Sequence, residues 1–520
     1  ARSRADAPAA RTRDRRLRAM AWFERRQRYV DAIQHAQASG DPAALTRLLA
    51  DLRPLHVFLA HGVGELRAIL RELAPDHLAA HPRLRLMAAL AHFKSGYFGE
   101  AGAMLEEVRA LTAGFAREPF GAVRQLQSEA TAFELLASAY VDGAATEAEG
   151  HLAALAATSQ DDPLMWAWAQ NIMIVLHEEA GDLTASREAI ARTRAIYTTN
   201  GMVRFADVSL LNHDLLLALA HGQLRLATDL AAGMRRVRLA DLSSDVPVIA
   251  MSRIAIASID YERRYVESAA DAARQGLDQF GEAETWGEPY AIAHTVIADV
   301  AWRRGGVIGL RRFIDEARQR VRRIGVRSAD NFLAALGAGY LVRAGELAEA
   351  APQIARLEAR RAAWAAGARS AWRERDATAL SLALWHLASR RPDEAAPIAQ
   401  ALIDEGLAGG RLRTEVKGRV LLALALQDPA AMAAALEAAQ PEAMVAVFAE
   451  EGDAILDLVR AAAADEAAGP LARRHADAVL RALTLGRRQV NALNEREAQI
   501  VAPLAHGASN KLIARRLRLT

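Results

Sequence analysis

The chain has no cysteine at any of its 520 positions. A disulfide framework and a cysteine zinc site are therefore excluded, and a reducing, cytoplasmic setting fits. Lysine is nearly missing as well: Lys94, Lys417 and Lys511 are three of 65 basic residues. We read the arginine bias mainly as genomic base composition. Aromatics make up only 5%. The longest unbroken aliphatic run, residues 420–426, is far shorter than the ~18 residues a membrane span needs. No apolar signal-peptide core follows Ala1. No P-loop occurs: Lys94 is followed by Ser95 but preceded by Phe93, where a phosphate cradle needs glycine. GxSxG and a cysteine nucleophile are also missing. No catalytic site emerges, no cofactor is expected within this chain, and the expectation is a non-enzyme.

What remains is rich in Ala and Leu, the residues with the lowest helix cost. Net charge is only +2, so the body is no polycation. Seven arginines crowd the first 18 residues, a pattern that reads as a solvated helix before a nucleic-acid arm. A phrase then recurs: an Ala/Leu-rich helix, a break at Gly or Asp, and a second helix opening with a polar residue and Ala. Breaks sit near Gly96, Gly181, Gly222, Arg264, Gly305, Gly345 and Arg391, with gaps of 85, 41, 42, 41, 40 and 46. The first gap is double, and a weaker unit at Asp142–Gly143 fills it. A period near 41 marks stacked helix-turn-helix units, each burying only part of its apolar face until a neighbour covers the rest. The fold class expected is all-α.

These units resemble tetratricopeptide repeats, in the longer, degenerate form found in MalT-like regulators. Two flanking segments are similar to that family. In residues 17–49 the positions are Trp22-Phe23, Asp31-Ala32-Ile33, His35-Ala36 and Gly40-Asp41; the second segment is VAVFAEEGDAILDLVRAAAA, residues 445–464. The resemblance implies a helical-hairpin superhelix, an α-solenoid. It implies a winged-helix junction at 1–40, the array at 41–465, a linker helix at 466–488 and a DNA-binding segment at 489–520.

The tail carries the strongest resemblance. Residues 493–520 read LNEREAQIVAPLAHGASNKLIARRLRLT. Asn494 is a good N-cap with Glu497 three residues on, a capping-box arrangement. Ile500, Val501 and Leu504 form an apolar face, Gly507 ends the helix, and Ile513, Ala514 and Leu517 face inward on the next. This is similar to the first two helices of a LuxR-type helix-turn-helix, cut before the recognition helix. The resemblance implies phosphate contacts at Ser509, Asn510, Lys511 and Arg515, which position a protein on DNA without reading bases. Three residues depart from the pattern: Asn494 for Thr, Leu512 for Glu, and Pro503 in mid-helix, where proline costs ~3 kcal/mol or more. Family members carry an ATP-binding domain, so ATP is expected only upstream of Ala1, and the chain is expected to be a fragment. The partners implied are DNA, a small inducer or regulatory protein on the array, and a second copy upon activation, with no membrane. A protein-binding scaffold with a degenerate tail is the alternative.

Other candidates read as structural. His56/His61 and His77/His81 are paired by spacing alone, and no metal site is expected. Glu282, Glu284 and Glu288 surround Trp286 as a polar loop or helix start. Seven aromatics (Trp166, Trp168, Trp286, Tyr290, Trp302, Trp364 and Trp372) read as fillers between Ala-rich helices. Trp286 with Tyr290 is the pair with the best claim to a ligand on a concave face.

Overall fold

The computed structural model describes residues 2–113, 121–140, 145–158, 162–201, 203–236, 246–263, 266–281 and 286–490. Among the described residues there are 26 α-helices and no strand. The all-α expectation is met, because Ala/Leu periodicity runs throughout and no alternating β-branched segment competes.

The chain opens with α1 (Arg2–Glu24), α2 (Tyr29–Ala38) and α3 (Pro42–Asp51). Asp41 caps α3 by accepting from the Ala43 and Ala44 amides, with Pro42 at the first helical position. Short helices α4 (Pro54–His61), α5 (Val63–Arg71) and α6 (Pro75–Ala80) lead to hairpin-forming pairs. These are α7/α8 (Pro82–Phe93, Phe98–Ala113), α9/α10 (Gly121–Tyr140, Ala145–Thr158) and α11/α12 (Pro163–Ala180, Leu183–Thr199). Next come α13/α14 (Val203–Ala220, Leu224–Arg236) and α15/α16 (Val246–Glu262, Val266–Phe280). Helix α17 (Gly287–Arg323) is itself two arms meeting at Gly306, where the backbone leaves helical geometry. Then follow α18/α19 (Arg327–Arg343, Leu347–Ala365), α20/α21 (Trp372–Ala388, Pro392–Ala408) and α22/α23 (Leu412–Leu426, Pro429–Ala439). The short α24 (Ala446–Ala449), α25 (Leu456–Ala464) and α26 (Pro470–Val490) complete the described chain.

The expected breaks fall between helices at Gly96, Gly181, Gly222 and Gly345, and beside Arg391. The break expected at Gly305 is a bend at Gly306, one residue on. Arg264 and residues 142–143 lie outside the described residues. One cap recurs: an amide two or three residues past the helix reaches back to a carbonyl five residues earlier. Asp182 donates to His177 O at 2.9 Å, Gln223 to Ala218 O at 2.8 Å and Glu346 to Leu341 O at 3.0 Å.

Each helix packs on its hairpin partner, and alternate helices pack on one another, as in α9–α11, α13–α15, α15–α17 and α18–α20. Superposed on this is a longer contact. Helix α11 touches α20, and α15 touches α24. His221, after α13, donates from Nδ1 to Gly410 O at 2.8 Å, just before α22. Counting α17 as two helices, each of these contacts joins units five hairpins apart. Two apolar clusters result. One runs from Met20 to Ala220 but includes Trp372 of α20, and the other runs from Val175 to Leu483.

Gly222 shows how tightly the distant segments meet. Its φ is +74°, and a Cβ there would lie 2.6 Å from Met444 Cε and 2.9 Å from Leu412 Cβ. Gly201 has the same backbone sign (φ +75°) but nothing within 4 Å. Alanine at Gly201 is expected to cost about 1 kcal/mol of backbone strain. Alanine at Gly222 should add overpacking of the order of 1–3 kcal/mol. Urea unfolding of both variants checks this, and equal losses would show that the cross-contact carries no weight.

Candidate functional site: two cavities on either side of one helix

Helix α22 places Arg413 and Lys417 four residues apart, hence on one face. Both reach Glu450, which directly follows α24. Lys417 Nζ lies 2.6 Å from Glu450 Oε2, Arg413 forms a short ion pair with Glu450 Oε1, and the Tyr261 hydroxyl donates to that same oxygen at 2.7 Å. Arg413 also pairs with Glu262. The next residue, Glu451, takes Arg343 Nε at 3.0 Å. Arg303 binds Asp299 at 2.6 Å and donates to Ala449 O at 3.2 Å. Consecutive glutamates leaving α24 thus receive three cations from two other helices.

Burial alone would raise the Glu450 carboxyl, but Arg413 and Lys417 outweigh it and hold the group well below the usual carboxylate range. Burial pushes the Lys417 ammonium down, against the pull of Glu450. It pushes the Tyr261 and Tyr340 phenols well up, helped by Asp299 and Glu450.

These groups border a cavity of about 80 Å³, lined by Tyr340, Arg343, Trp372, Arg413, Lys417 and Glu450 among others. It has room for a few waters. Trp372 is pinned between two guanidiniums, Arg373 at 4.4 Å and Arg411 at 5.1 Å from the ring centre. Arg373 in turn binds Glu288 at 2.8 Å. Arg343, Arg373, Arg413 and Lys417 each have a carboxylate. The arrangement is electrostatically closed: it fixes α20, α22 and α24 against α15 and α17.

The other side of α20 differs. A cavity of about 780 Å³ lies between α9–α11 and α18–α20. That size matches small-molecule sites. Its wall carries Arg327, Arg360, Arg369 and Arg375 against Glu149, Glu179 and Glu374. Arg360 is committed to Glu374 at 2.7 Å, and Arg369 lies 3.3 Å from Glu149. Trp364 presents an aromatic wall with Arg360 at 5.9 Å from its ring.

No family model matches this chain, and no curated protein matches it significantly.

The tail residues Ser509, Asn510, Lys511 and Arg515 lie outside the described residues, as do Pro503, Glu282 and Glu284. Trp286 and Tyr290 are 4% and 0% exposed and pack between helices, as the filler reading has it. Trp286 leans on His213 at 5.2 Å, and Tyr290 sits edge-on to Phe280 at 5.5 Å. Neither lines either cavity. Of the two expectations for this segment, polar loop or helix start, the helix start is found: α17 begins at Gly287 with Trp286 as its N-cap residue. Glu288 of that acidic group is a buried partner of Arg373. His56 stands 3.6 Å from Asp162, and His61 packs edge-on to Tyr29.

Sequence reasoning treated Trp372 and Trp364 as fillers, yet these are the aromatics at the cavities. It passed over Arg343, Arg375, Arg413 and Glu450 entirely. One signal was available: Lys417 is one of three lysines in an arginine-rich chain, and it occupies the ion cluster. The expected linker at 466–488 coincides with α26, which packs on α23 and α25 and anchors its His475 Nε2 to Met444 O at 2.8 Å.

Proposed function

We propose that this chain is the sensor array and DNA-binding segment of a MalT-like transcriptional regulator of the LuxR family. The observation that carries the reading is the tail, with Asn494-Glu-Arg-Glu followed by Gly507-Ala-Ser-Asn-Lys-Leu-Ile-Ala. The recurrent contact at five hairpins supports a tetratricopeptide-like superhelix, since a regular repeat coils with a constant rise. In this reading the larger cavity takes the inducer, and a ligand that prefers one curvature of the array shifts the population of the active state. Self-association then sets several DNA-binding segments on repeated sites and raises affinity by avidity. A protein-binding scaffold is the second reading, favoured by Pro503.

The test is fluorescence anisotropy with duplex DNA. The 520-residue chain is expected to bind weakly, with little sequence preference and a steep loss of affinity with salt. Lys511→Ala and Arg515→Ala should each lower affinity uniformly across sequences and flatten the salt slope by about one. Binding unchanged by both substitutions would sink the proposal and leave the scaffold.

A further inference from the structure

The two cavities differ in how their charges are matched. Around Glu450 every cation has a carboxylate. In the larger cavity two do not. Arg375 donates from Nη1 to Ser370 O at 2.6 Å and from Nη2 to Ala180 O at 3.0 Å. The Ser370 hydroxyl also accepts from Nη1 at 3.5 Å, and no carboxylate pairs with Arg375 among the described residues. Asp376, Glu405 and Glu374 are close enough to act on it at longer range, and Arg411 opposes them. A guanidinium has five N–H donors. The Nε–H of Arg375 has no acceptor among the described residues, and a second N–H on Nη2 is also uncommitted. Adjacent donors of this kind match the two oxygens of a carboxylate or phosphate.

Two further features face the same space. Arg327 has no ion-pair or hydrogen-bond partner among the described residues, and it lines the cavity. Helices α18 and α20 both begin at this wall without a side-chain cap, leaving first-turn amides and the positive dipole ends open to it. A surplus of unpaired positive charge along one wall attracts an anion.

We propose that the cavity between α9–α11 and α18–α20 binds a small molecule through an oxyanion group, a carboxylate or a phosphate, held by Arg375 and Arg327. This rests on the sensing reading only in calling the ligand an inducer. The position has a mechanical meaning. Arg375 belongs to α20, yet its guanidinium already holds Ala180 O, the last residue of α11. An anion on Arg375 therefore acts where two hairpins far apart in sequence meet.

The experiment uses the full chain with two probes, pyrophosphate for the phosphate source and citrate for the carboxylate source. Sodium chloride at equal ionic strength is the reference. Thermal unfolding and titration calorimetry are run on the wild type, on Arg375→Gln and on Arg327→Gln. The expected result is saturable binding of at least one probe, with a higher midpoint temperature than in sodium chloride. Each substitution should weaken that binding about tenfold or more, the range for hydrogen bonds to charged groups. Arg375→Gln also removes the bond to Ala180 and risks the fold, whereas Arg327 is exposed and its variant keeps the test valid. The inference is overturned if neither probe exceeds sodium chloride, or if binding survives both substitutions unchanged. Loss of anion binding with tail-dependent DNA binding intact sinks this inference alone. The reverse pattern sinks the regulator reading and spares the site.

Discussion

Glu450→Ala is expected to destabilise the protein by about 3–5 kcal/mol, the range for breaking a buried ion pair. The loss arises less from the missing attraction than from what stays behind. Lys417 and Arg413 would keep their charges in a region where Arg343 also lies, and the Tyr261 hydroxyl would lose its acceptor. Lys417 has an escape that Arg413 lacks: burial already pushes its ammonium down, and shedding the proton limits the penalty. Lys417→Met in the Glu450→Ala background should therefore recover part of the loss. Urea midpoints for the single and double variants measure both effects. A loss under about 1 kcal/mol for Glu450→Ala would mean that the cluster is a solvated ion pair rather than a buried one. The same depression of the Glu450 carboxyl fixes a sign with pH. The contribution is whole above the unfolded glutamate value of about 4.3 and is lost as pH falls through the lower folded value.

Acid should act through His294 at higher pH than through Glu450. His294 is 1% exposed, its Nδ1 has no hydrogen-bond partner, and it lies between Tyr290 and Phe313, each 5.9 Å away. Burial, with a smaller push from Arg320, brings its imidazole from 6.5 down to about 3. The folded state thus holds a neutral ring while the unfolded chain takes up a proton below 6.5. Stability is fully present above that value and falls as pH drops from 6.5 to about 3. At 1.36 kcal/mol per pH unit, the full loss is on the order of 5 kcal/mol. His294→Leu removes the titration and keeps an apolar side chain of similar reach. Its urea midpoint should fall less than that of the wild type between pH 6.5 and pH 4. Parallel curves would show that the ring is hydrated or charged in the folded protein.

Local order was legible because it is written locally. Gly181, Gly222 and Gly345 end helices in a left-handed turn, a conformation that glycine adopts at least cost, so the glycine marks the turn directly. Asp41 and Asp182, each directly after such a glycine, cap the following helix by accepting amide hydrogen bonds. The cavities were not legible. The groups that build them come from positions such as Tyr261 and Glu450, 189 residues apart, and no periodicity relates those two side chains. Trp286 is buried because the residues after it begin a helix whose first turn is buried. Trp372 was undervalued because nothing next to it reveals that Gly181, with its own left-handed turn, lies against its Cβ.

The contact at five hairpins also bears on how the molecule comes apart. A linear stack of repeats frays from its ends, since each unit answers only to its neighbours. Here Gly181 meets Trp372, His221 meets Gly410, and the Arg225 amide donates to Glu442 at 2.9 Å across 217 residues. Opening the hairpins that carry these residues breaks contacts to helices far away in sequence. The stretch from α11 to α24 is thereby one cooperative unit, closer to a globular domain than to a chain of repeats.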